Sequence, residues 1–596
     1  MNDKRINDNA ANEKRQARTV SLQSSAPKDT SATQHNSDAK LPEITSNAEE
    51  QRVRDDTSIK SPLPKPATVT HPWLALAFLA LSVSLIVVDG TIVNVALPTM
   101  IRELHLNFSQ AEWITTIYAL IFSALLITMG RLADSLGRKT ILLIGIVLFV
   151  GASILAGAST TSSTLLTARA LQGIGGATVL PTTLSTVNSI FQGKQRAIAF
   201  AVWGSVISGM AALGPLLGGF LTTYFSWPWI FYINVPLGVI IVIGAIFFVP
   251  NTYGEKRGRG LDVDGFLLSS IGLGALVYGL IEGRSLGWWT PTDPDSLLPI
   301  SLAAIAIMTG TVFLIGFFLW ERHRRSYKRS RLVNIELFRI RSFFFGNIAA
   351  GAIAIGEFGL LFILPLYLQN VRELSALEAG YVLATMALGA FIAGGLAGPF
   401  AQATHPVTVA RSGLALEILA LIVLGFILDA HTSIFIASAI LVVYGFGLGL
   451  ASAQLTSLVL ADIPVQNSGQ GSAIQSTVRQ IGSALGIAIV ATFLAISVNM
   501  HTDNSLADLS INPTVARSIE HSVADSAGSS LIALHHGVGD FSAFEPSLRS
   551  SMAQALDHGF ALGSGQAIIM STVFIGIGFL ATLALPKPQQ SLKTTA

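Results

Sequence analysis

The stretch 130–140 reads Gly-Arg-Leu-Ala-Asp-Ser-Leu-Gly-Arg-Lys-Thr and separates two apolar runs, residues 111–129 and 141–158. Each run is about 20 residues long, which is the length that crosses the hydrocarbon core of a bilayer as an α-helix. A short basic connector between two such helices is expected on the cytoplasmic side of the membrane. This turn therefore predicts a pair of membrane-spanning helices and gives their orientation.

The order of charges within the turn leaves two interpretations. A solvated loop that only orients the protein needs basic residues in any order. The second interpretation depends on Asp134, which is spaced for ion pairing with Arg131 or Arg138 between two turn-forming glycines. That arrangement predicts a conformational gate at the helix ends. The residues of this predicted gate are Gly130, Arg131, Asp134, Gly137, Arg138 and Lys139.

Composition indicates the same class of protein. Hydrophobic residues make up 51% and charged residues 12% of the 596 residues, whereas soluble domains carry about 25% charged residues. The chain is therefore expected to be an all-α polytopic membrane protein. Cysteine is absent, which excludes disulfides, thiolate metal sites and cysteine nucleophiles. The nearly balanced net charge of +2 implies no nucleic-acid partner.

Fourteen apolar runs are predicted to span the membrane, and the basic residues of the short loops place both termini in the cytoplasm. The protein is thus expected to be a multi-pass protein of the cell (inner or plasma) membrane. The predicted domains are a disordered cytoplasmic tail (1–70), an N-terminal six-helix repeat (71–250), two inserted helices with a basic linker (251–341), a C-terminal six-helix repeat (342–586) with an external loop (500–557), and a cytoplasmic tail (587–596).

Span 1 contains a single acid, Asp89, followed by Asn94. A lone carboxylate at membrane depth must face a cavity, be paired, or be protonated. A rise of about 1.5 Å per residue puts Asp89 at nearly the same depth as Arg169 of span 4, beside Gln172, so the two charges can pair if their helices line one cavity. The alternatives are a structural helix–helix hydrogen bond of Asp89 with Asn94 or a neighbour, and an Arg169 side chain that snorkels to the headgroups.

An internal repeat predicts a second set of site residues. Asp89 stands nine residues before a helix proline in span 1, and Glu357 stands eight residues before one in span 9. The glycine-rich segment 173–176 has a counterpart in 445–449. Spans 1–6 and 9–14 are therefore predicted to form two six-helix repeats with spans 7 and 8 inserted between them.

Two further features of the second repeat bear on function. Arg479 of span 13 is either a site residue or the donor of a helix–helix hydrogen bond. The second copy of the charged turn, residues 398–406, has lost its acid, so the gate is expected mainly in the first repeat. The five histidines of the segment 501–558 lack a metal-ligand spacing, and no metal is expected.

Span 5 contains a proline flanked by small residues, Gly214-Pro215-Leu-Leu-Gly218-Gly219. Small residues allow close contact between helices, and Pro215 removes one backbone hydrogen bond and bends the helix. Such an element predicts a kinked, closely packed helix and by itself says little about function.

Five of these elements together resemble the fourteen-span drug:proton antiporter family of the major facilitator superfamily, its EmrB/QacA-like branch. The resemblance covers residues 73–585. The elements are the turn 130–140, Asp89 with the segment 91–98, Arg169 with Gln172 and Gly173, the kink with Gly214, Pro215, Gly218 and Gly219, and Asp264 with Gly265 before span 7.

The resemblance implies a major facilitator fold and proton-coupled efflux of amphipathic or cationic toxic compounds by alternating access, with Asp89 and Glu357 as proton carriers. The implied partners are a small-molecule substrate, protons, the lipid bilayer and, in a cell with two membranes, a periplasmic adaptor. The chain has no phosphate-binding loop, and no nucleophile–histidine pair lies at membrane depth, so the expected energy source is the proton gradient, with no cofactor and no enzyme activity.

Two alternatives remain open at this stage. A dedicated exporter of one metabolite, lipid or antibiotic would use the same scaffold, because a fold does not fix the substrate. A sensor or assembly scaffold that no longer transports would have no need for the intramembrane acids, whose retention argues against it.

Overall fold

The computed structural model describes residues 70–585 except 192, 254–261, 294–295, 297, 327–332, 334, 464–467, 504, 508 and 510. Nearly all of the predicted N-terminal tail, the basic residues 256–259 and the predicted C-terminal tail lie outside these residues.

Fourteen long helices and no β-strand make up the described part of the chain, and the prediction of an all-α membrane protein is confirmed. Twelve helices are long and apolar enough to cross a membrane, while α4 and α5 fall outside that set, so the number of fourteen spans stays a prediction. The helices are α1 (Pro72–Leu104), α2 (Phe108–Leu136), α3 (Arg138–Gly157), α4 (Ser162–Ile190), α5 (Gly193–Tyr224), α6 (Trp229–Phe248), α7 (Val263–Leu286), α8 (Leu302–Ser326), α9 (Arg341–Asn370), α10 (Ala376–Ala403), α11 (Pro406–Ile427), α12 (Ile434–Leu460), α13 (Ser468–Thr502) and α14 (Pro546–Leu583).

The second helix of each repeat begins with the same capping device. The Asn107 side chain accepts a hydrogen bond from the backbone of Gln110, whose own side chain accepts one from the backbone of Asn107. Ser375 and Glu378 form the same reciprocal pair at the start of α10. A cap of this kind contributes about 1 kcal/mol to helix stability. Local sequence therefore fixes where α2 and α10 begin.

The same helix pairs pack together in both halves, which confirms the two six-helix repeats. In the first half α1 packs on α4, α5 and α6, while α4 also packs on α2 and α3, and α3 on α6. In the second half α9 packs on α12, α13 and α14, while α12 also packs on α10 and α11, and α11 on α14. Each helix of the second half thus has the number of its counterpart plus eight. The α7–α8 hairpin packs through α7 against α2 and α13, beside the seam between the halves.

The two halves meet at one end of the bundle. We call this end the cap face, because the short helices Pro513–Asp525 and Ser529–His536 pack there against α13, α14 and α9; the opposite end, with the turn 130–140, is the turn face. Gln369 of α9 donates a hydrogen bond of 2.8 Å to the carbonyl of Val95 in α1. Buried apolar residues of both halves join in one cluster that includes the cap, whereas the clusters toward the turn face each belong to one half.

The predicted kink of α5 lies at this junction. A Cβ atom on Gly218 would lie 2.7 Å from the carbonyl oxygen of Ile92 in α1, and one on Gly219 would lie 2.5 Å from that of Ala376 in α10. The carbonyl of Pro215 approaches Gly380 of α10 in the same way. Glycine is needed here because two backbones touch, so the element joins α5 to its own half and to the other half.

The helix contact between α3 and α4 gives a first prediction. A Cβ on Gly175 would lie 2.8 Å from the carbonyl oxygen of Gly145 and 2.9 Å from the backbone nitrogen of Phe149, and backbone atoms cannot move aside independently. We expect Gly175→Ala to cost about 1–3 kcal/mol and to lower the thermal unfolding temperature of the detergent-solubilised protein. Gly151→Ala is the control, because nothing lies within 4 Å of that position. Equal melting curves for the two variants would contradict the close contact.

The cap gives a second prediction, from a histidine. His535 lies 2.9 Å from the carboxylate of Asp557 and 4.0 Å from that of Glu373, and the contact with Asp557 raises the pKa of His535 above its ordinary value. The stabilisation that this group provides is full below its unfolded pKa, about 6.5, and is lost as the pH rises through the higher folded pKa. We therefore expect the unfolding temperature to fall over that range in the wild type, less so in His535→Asn, and unchanged from wild type in the exposed control His521→Asn. Identical pH profiles for wild type and His535→Asn would refute it.

Candidate functional site

The predicted acid of span 1 lies in a closed network inside the first half. Asp89 is completely buried, and Arg169 of α4 donates to its Oδ2 over 2.7 Å. Gln172 and Asn234 donate their amide hydrogens to its Oδ1 over 3.0 and 2.8 Å, and both amides also bond Ser153. The pair predicted from matching depth is present, and a snorkelling Arg169 is wrong, since its side chain is 2% exposed.

The rest of Arg169 is held by the first half as well. Its Nε donates to the backbone carbonyl of Ile114 over 3.2 Å, and its guanidinium lies 4.5 Å from the centre of the Tyr118 ring. A cation over an aromatic face gains electrostatic stabilisation that grows with desolvation. Asn94 lies five residues beyond Asp89 and is not among the groups that bond it in the described chain. Of the structural hydrogen bonds considered, the one to Asn94 is therefore not formed, whereas those to neighbouring helices are, through Gln172 and Asn234.

Glycines bring α4 close enough for these contacts. A Cβ on Gly173 would lie 2.9 Å from the carbonyl of Tyr118, and one on Gly176 would lie 2.9 Å from the Phe122 ring, both on α2. Because α4 lies so near α2, the Arg169 side chain reaches both the α2 backbone and Asp89 across on α1. The glycine-rich segment that follows Gln172 therefore positions the charged pair.

The second half holds a looser pair. Arg479 of α13 lies 3.5 Å from the Glu357 carboxylate of α9, and the two side chains are 40% and 14% exposed. Sequence reasoning had named both residues without pairing them. Both helices contact the first half, because α9 packs on α1 and α13 packs on α2. Glu357 and Arg479 thus combine partial access with a position beside the seam.

Glycines bring the first and fifth helices of each half into backbone contact. Gly218 of α5 allows the backbone of Ile92 in α1 to approach, and Gly486 of α13 does the same for Ile355 in α9. The contact of α1 with α5 thus recurs as the contact of α9 with α13. This relation is independent of any similarity between the sequences of α1 and α9.

The equivalence of Asp89 and Glu357 inferred from the sequence stays a prediction, but the surroundings of the two acids differ. Asp89 belongs to a network closed within its own half, whereas Glu357 is partly exposed and pairs with Arg479. The two acids accordingly occupy different environments.

The charges of the turn bond to neighbouring helices of the first half. Arg138 pairs with Asp134 at 2.9 Å and also donates to the carbonyl of Ser185 in α4 over 3.1 Å. Lys139 donates to the carbonyl of Ile246 in α6 over 2.6 Å. Gly137 has a φ of +104°, which only glycine adopts without strain, so the tight turn is confirmed.

The remaining gate residues face other partners. Gly130 lies against Pro181 of α4. Arg131 lies in the field of Asp262 and Glu321 on the α7–α8 hairpin, and Asp262 also pairs with Arg324 at 3.1 Å. Of the two aspartates at the start of α7, Asp262 caps the helix by accepting a hydrogen bond from the backbone N–H of Gly265. The resemblance, centred on Asp264, did not indicate this cap.

Sequence reasoning missed several polar residues of the bundle interior. Asn234 and Ser153 complete the Asp89 network, and Glu112 and Glu417 are buried acids within apolar runs. The available signal was the same for these acids as for Asp89, a lone carboxylate in a predicted span. Asn234 and Ser153 carried no such signal, because an amide or a hydroxyl is common in membrane helices.

Known proteins match both the sequence and the fold. The sequence profile of the Major Facilitator Superfamily matches residues 79–487. The riboflavin transporter RibZ of Clostridioides difficile is 28% identical over 72% of this chain and 89% of its own length. The multidrug efflux pump LfrA of Mycolicibacterium smegmatis is 30% identical over 73% of this chain and 83% of its own, and the tetracenomycin C resistance and export protein of Streptomyces glaucescens is 28% identical over 74% and 80%.

A solved structure shares the fold. The crystal structure of a bacterial homologue of the human lysosomal transporter Spinster, inward-facing and unoccupied, superposes with a TM-score of 0.56 at 17% identity, covering 87% of this chain and 98% of that one. The profile match extends over more than half of the chain, and the paired repeats agree with it. The chain therefore belongs to the major facilitator superfamily and is a membrane transporter rather than an enzyme.

Proposed function

We propose that the chain is a proton-coupled exporter of amphipathic or cationic compounds, of the fourteen-span branch, that lies in the cell membrane with both termini in the cytoplasm. The relatives named as a multidrug efflux pump and as a resistance and export protein support export. The proton gradient would supply the energy without a bound cofactor. In a cell with two membranes, a periplasmic adaptor would receive the substrate.

The observation that carries this proposal is the contrast between the two charged pairs. Asp89 is sealed and fully hydrogen-bonded, whereas Glu357 and Arg479 are partly accessible on helices that meet the other half. A transporter that exchanges protons for substrate needs acids whose partners change with its conformation. Asp89 has its hydrogen-bond partners within one half, and Glu357 is partly exposed beside the seam between the halves. Alternating access would use this difference.

The Asp89 network suggests how a proton would drive the change. The Asp89 carboxylate accepts hydrogen bonds from three donors, one of which is the Arg169 guanidinium. A proton on Asp89 would leave Arg169 buried without a counter-ion, which costs several kcal/mol in an apolar interior, on the order of 3–5. Protonation would therefore destabilise this packing of α1 on α4 and favour another arrangement of the first half.

A dedicated exporter of a single compound is the second candidate. It is favoured by relatives named after one substance, riboflavin or tetracenomycin C. An efflux screen in a host that lacks its own pumps separates the candidates: resistance to several unrelated cationic dyes indicates broad export, and resistance confined to one compound indicates a dedicated exporter.

Replacement of the acids gives a third prediction. Asp89→Asn and Glu357→Gln should each lower pH-gradient-driven dye efflux about tenfold or more, because a hydrogen bond to a charged group contributes about 1.5–3 kcal/mol. Glu103→Gln, at an exposed position of α1, is the control and should transport normally. Protein amounts in the membrane are measured for each variant. Full gradient-driven efflux by both single variants would contradict the proposed coupling. If the wild type moves neither dye nor protons in vesicles, the result favours a sensor or scaffold.

The turn gives a fourth prediction, in which Asp134 holds the turn face closed when the cavity opens outward. The Asp134–Arg138 pair is partly solvated and is worth about 1 kcal/mol, enough to shift a balanced equilibrium several-fold. We expect Asp134→Asn to favour the state open at the turn face and to lower turnover without abolishing substrate binding.

A single cysteine at Leu184, in the half of α4 nearest the turn face, reports this change through its rate of labelling by a membrane-impermeant maleimide. The chain contains no other cysteine. Labelling should be faster in Asp134→Asn than in the parent, and Ser135→Ala, at the adjacent position, is the control. If the rate is the same with and without Asp134, the turn serves only to orient the protein.

A further inference from the structure

Two buried polar side chains of the second half lie outside both charged pairs. Glu417 of α11 and Tyr444 of α12 are each 0% exposed. Within the described chain, neither carboxylate oxygen of Glu417 nor the hydroxyl of Tyr444 has a hydrogen-bond partner. An ionised carboxylate is not tolerated in such a place without compensation, so it binds a proton or acquires a counter-ion.

The repeat shows that packing does not require an acid here. A Cβ on Gly175 of α4 would lie 2.9 Å from Cβ of Phe149 in α3, and a Cβ on Gly447 of α12 would lie 3.0 Å from Cγ of Glu417 in α11. Since α3 and α4 correspond to α11 and α12, Glu417 is the counterpart of Phe149, a fully buried phenyl ring. The second half carries a carboxyl group where the first half carries an apolar side chain.

The charged groups that act on Glu417 are Glu357 of α9 and Arg479 of α13, and Tyr444 of α12 lies in the field of both acids. The helices packed on α11 itself are α10, α12 and α14. Of these, α12 has no acidic or basic residue, α14 has none after His558, and α10 has only Glu378 in its first turn. Arg479 thus acts on both Glu357 and Glu417. With both carboxylates ionised, one negative charge of this group would remain uncompensated in the interior.

We propose that Glu417 is a proton-binding residue of the second half, protonated while Arg479 pairs with Glu357 and deprotonated when Arg479 turns toward Glu417. In this step the O–H bond of the Glu417 carboxyl breaks and its proton passes to water in the cavity; rebinding reverses it. The inference deepens the proposed export function, on which its role in coupling rests, by adding a second exchangeable proton beside Glu357.

Infrared difference spectroscopy tests proton binding without any substrate. The full-length protein in liposomes is titrated with alkali, and the C=O stretching band of protonated carboxyl groups is followed. We expect a band that disappears with rising pH in the wild type, is missing from both Glu417→Gln and Glu417→Met, and is retained in the control Glu282→Gln. Glu357→Gln should move the midpoint of its titration by about 1 pH unit, since the two groups are coupled. Identical spectra for wild type and Glu417→Gln overturn the proposal.

Ethidium transport tests the coupling. In inside-out vesicles, Glu417→Gln should lower ethidium accumulation driven by a pH gradient about tenfold, whereas the control Glu282→Gln should accumulate ethidium as the wild type does. Wild-type accumulation in Glu417→Gln, together with a lost band, would overturn the coupling role. If the wild type itself accumulates no ethidium, export of that compound fails as a function, while the spectra still decide whether Glu417 binds the proton.

Discussion

A charge among apolar helices must be compensated where it lies, and the first half of the protein is arranged around that constraint at Asp89. Its carboxylate receives hydrogen bonds from α4 and α6, while Arg169 is bounded by Tyr118 and a backbone carbonyl of α2. Four helices therefore contribute to one ion pair. Their spacing follows from the glycines that let α4 approach its neighbours, since a longer separation would leave Arg169 or Asp89 without partners.

The two halves share the same arrangement of helices but differ in the positions and partners of their buried charges. Helix pairs, capping boxes and glycine contacts recur, for example Gly145 against Gly175 and Gly413 against Gly447. The buried charges do not recur: the first half closes one acid within a network, and the second half spreads two acids around one arginine. A repeated scaffold thus supports two unlike sites.

The sequence was sufficient for the class of fold, the two repeats, the tight turn and the Asp89–Arg169 pair. Each rests on a local or periodic signal, such as apolar length, a glycine between charges, or matching depth. The correspondence of Asp89 with Glu357 stays a prediction, because helix prolines mark a bend and do not define the register. Asn234 and Ser153 were missed since their role arises only when α6 lies beside α1 and α3 lies beside α4 and α6. Glu417 was overlooked within an apolar run, although its chemistry is that of Asp89.

Small residues line part of the seam between the halves. Gly219 meets Ala376, Pro215 meets Gly380, and Ala119 of α2 lies in one cluster with Ala484 and Ala488 of α13. Side chains of this size bury little apolar area, at roughly 25 cal/mol for each Å². Moving the halves apart along these contacts therefore forfeits little hydrophobic free energy, whereas the larger apolar side chains that both halves share lie in the cluster that includes the cap. A bulky side chain introduced along these contacts would therefore hold the two halves apart or block their relative movement, although it changes no charged residue.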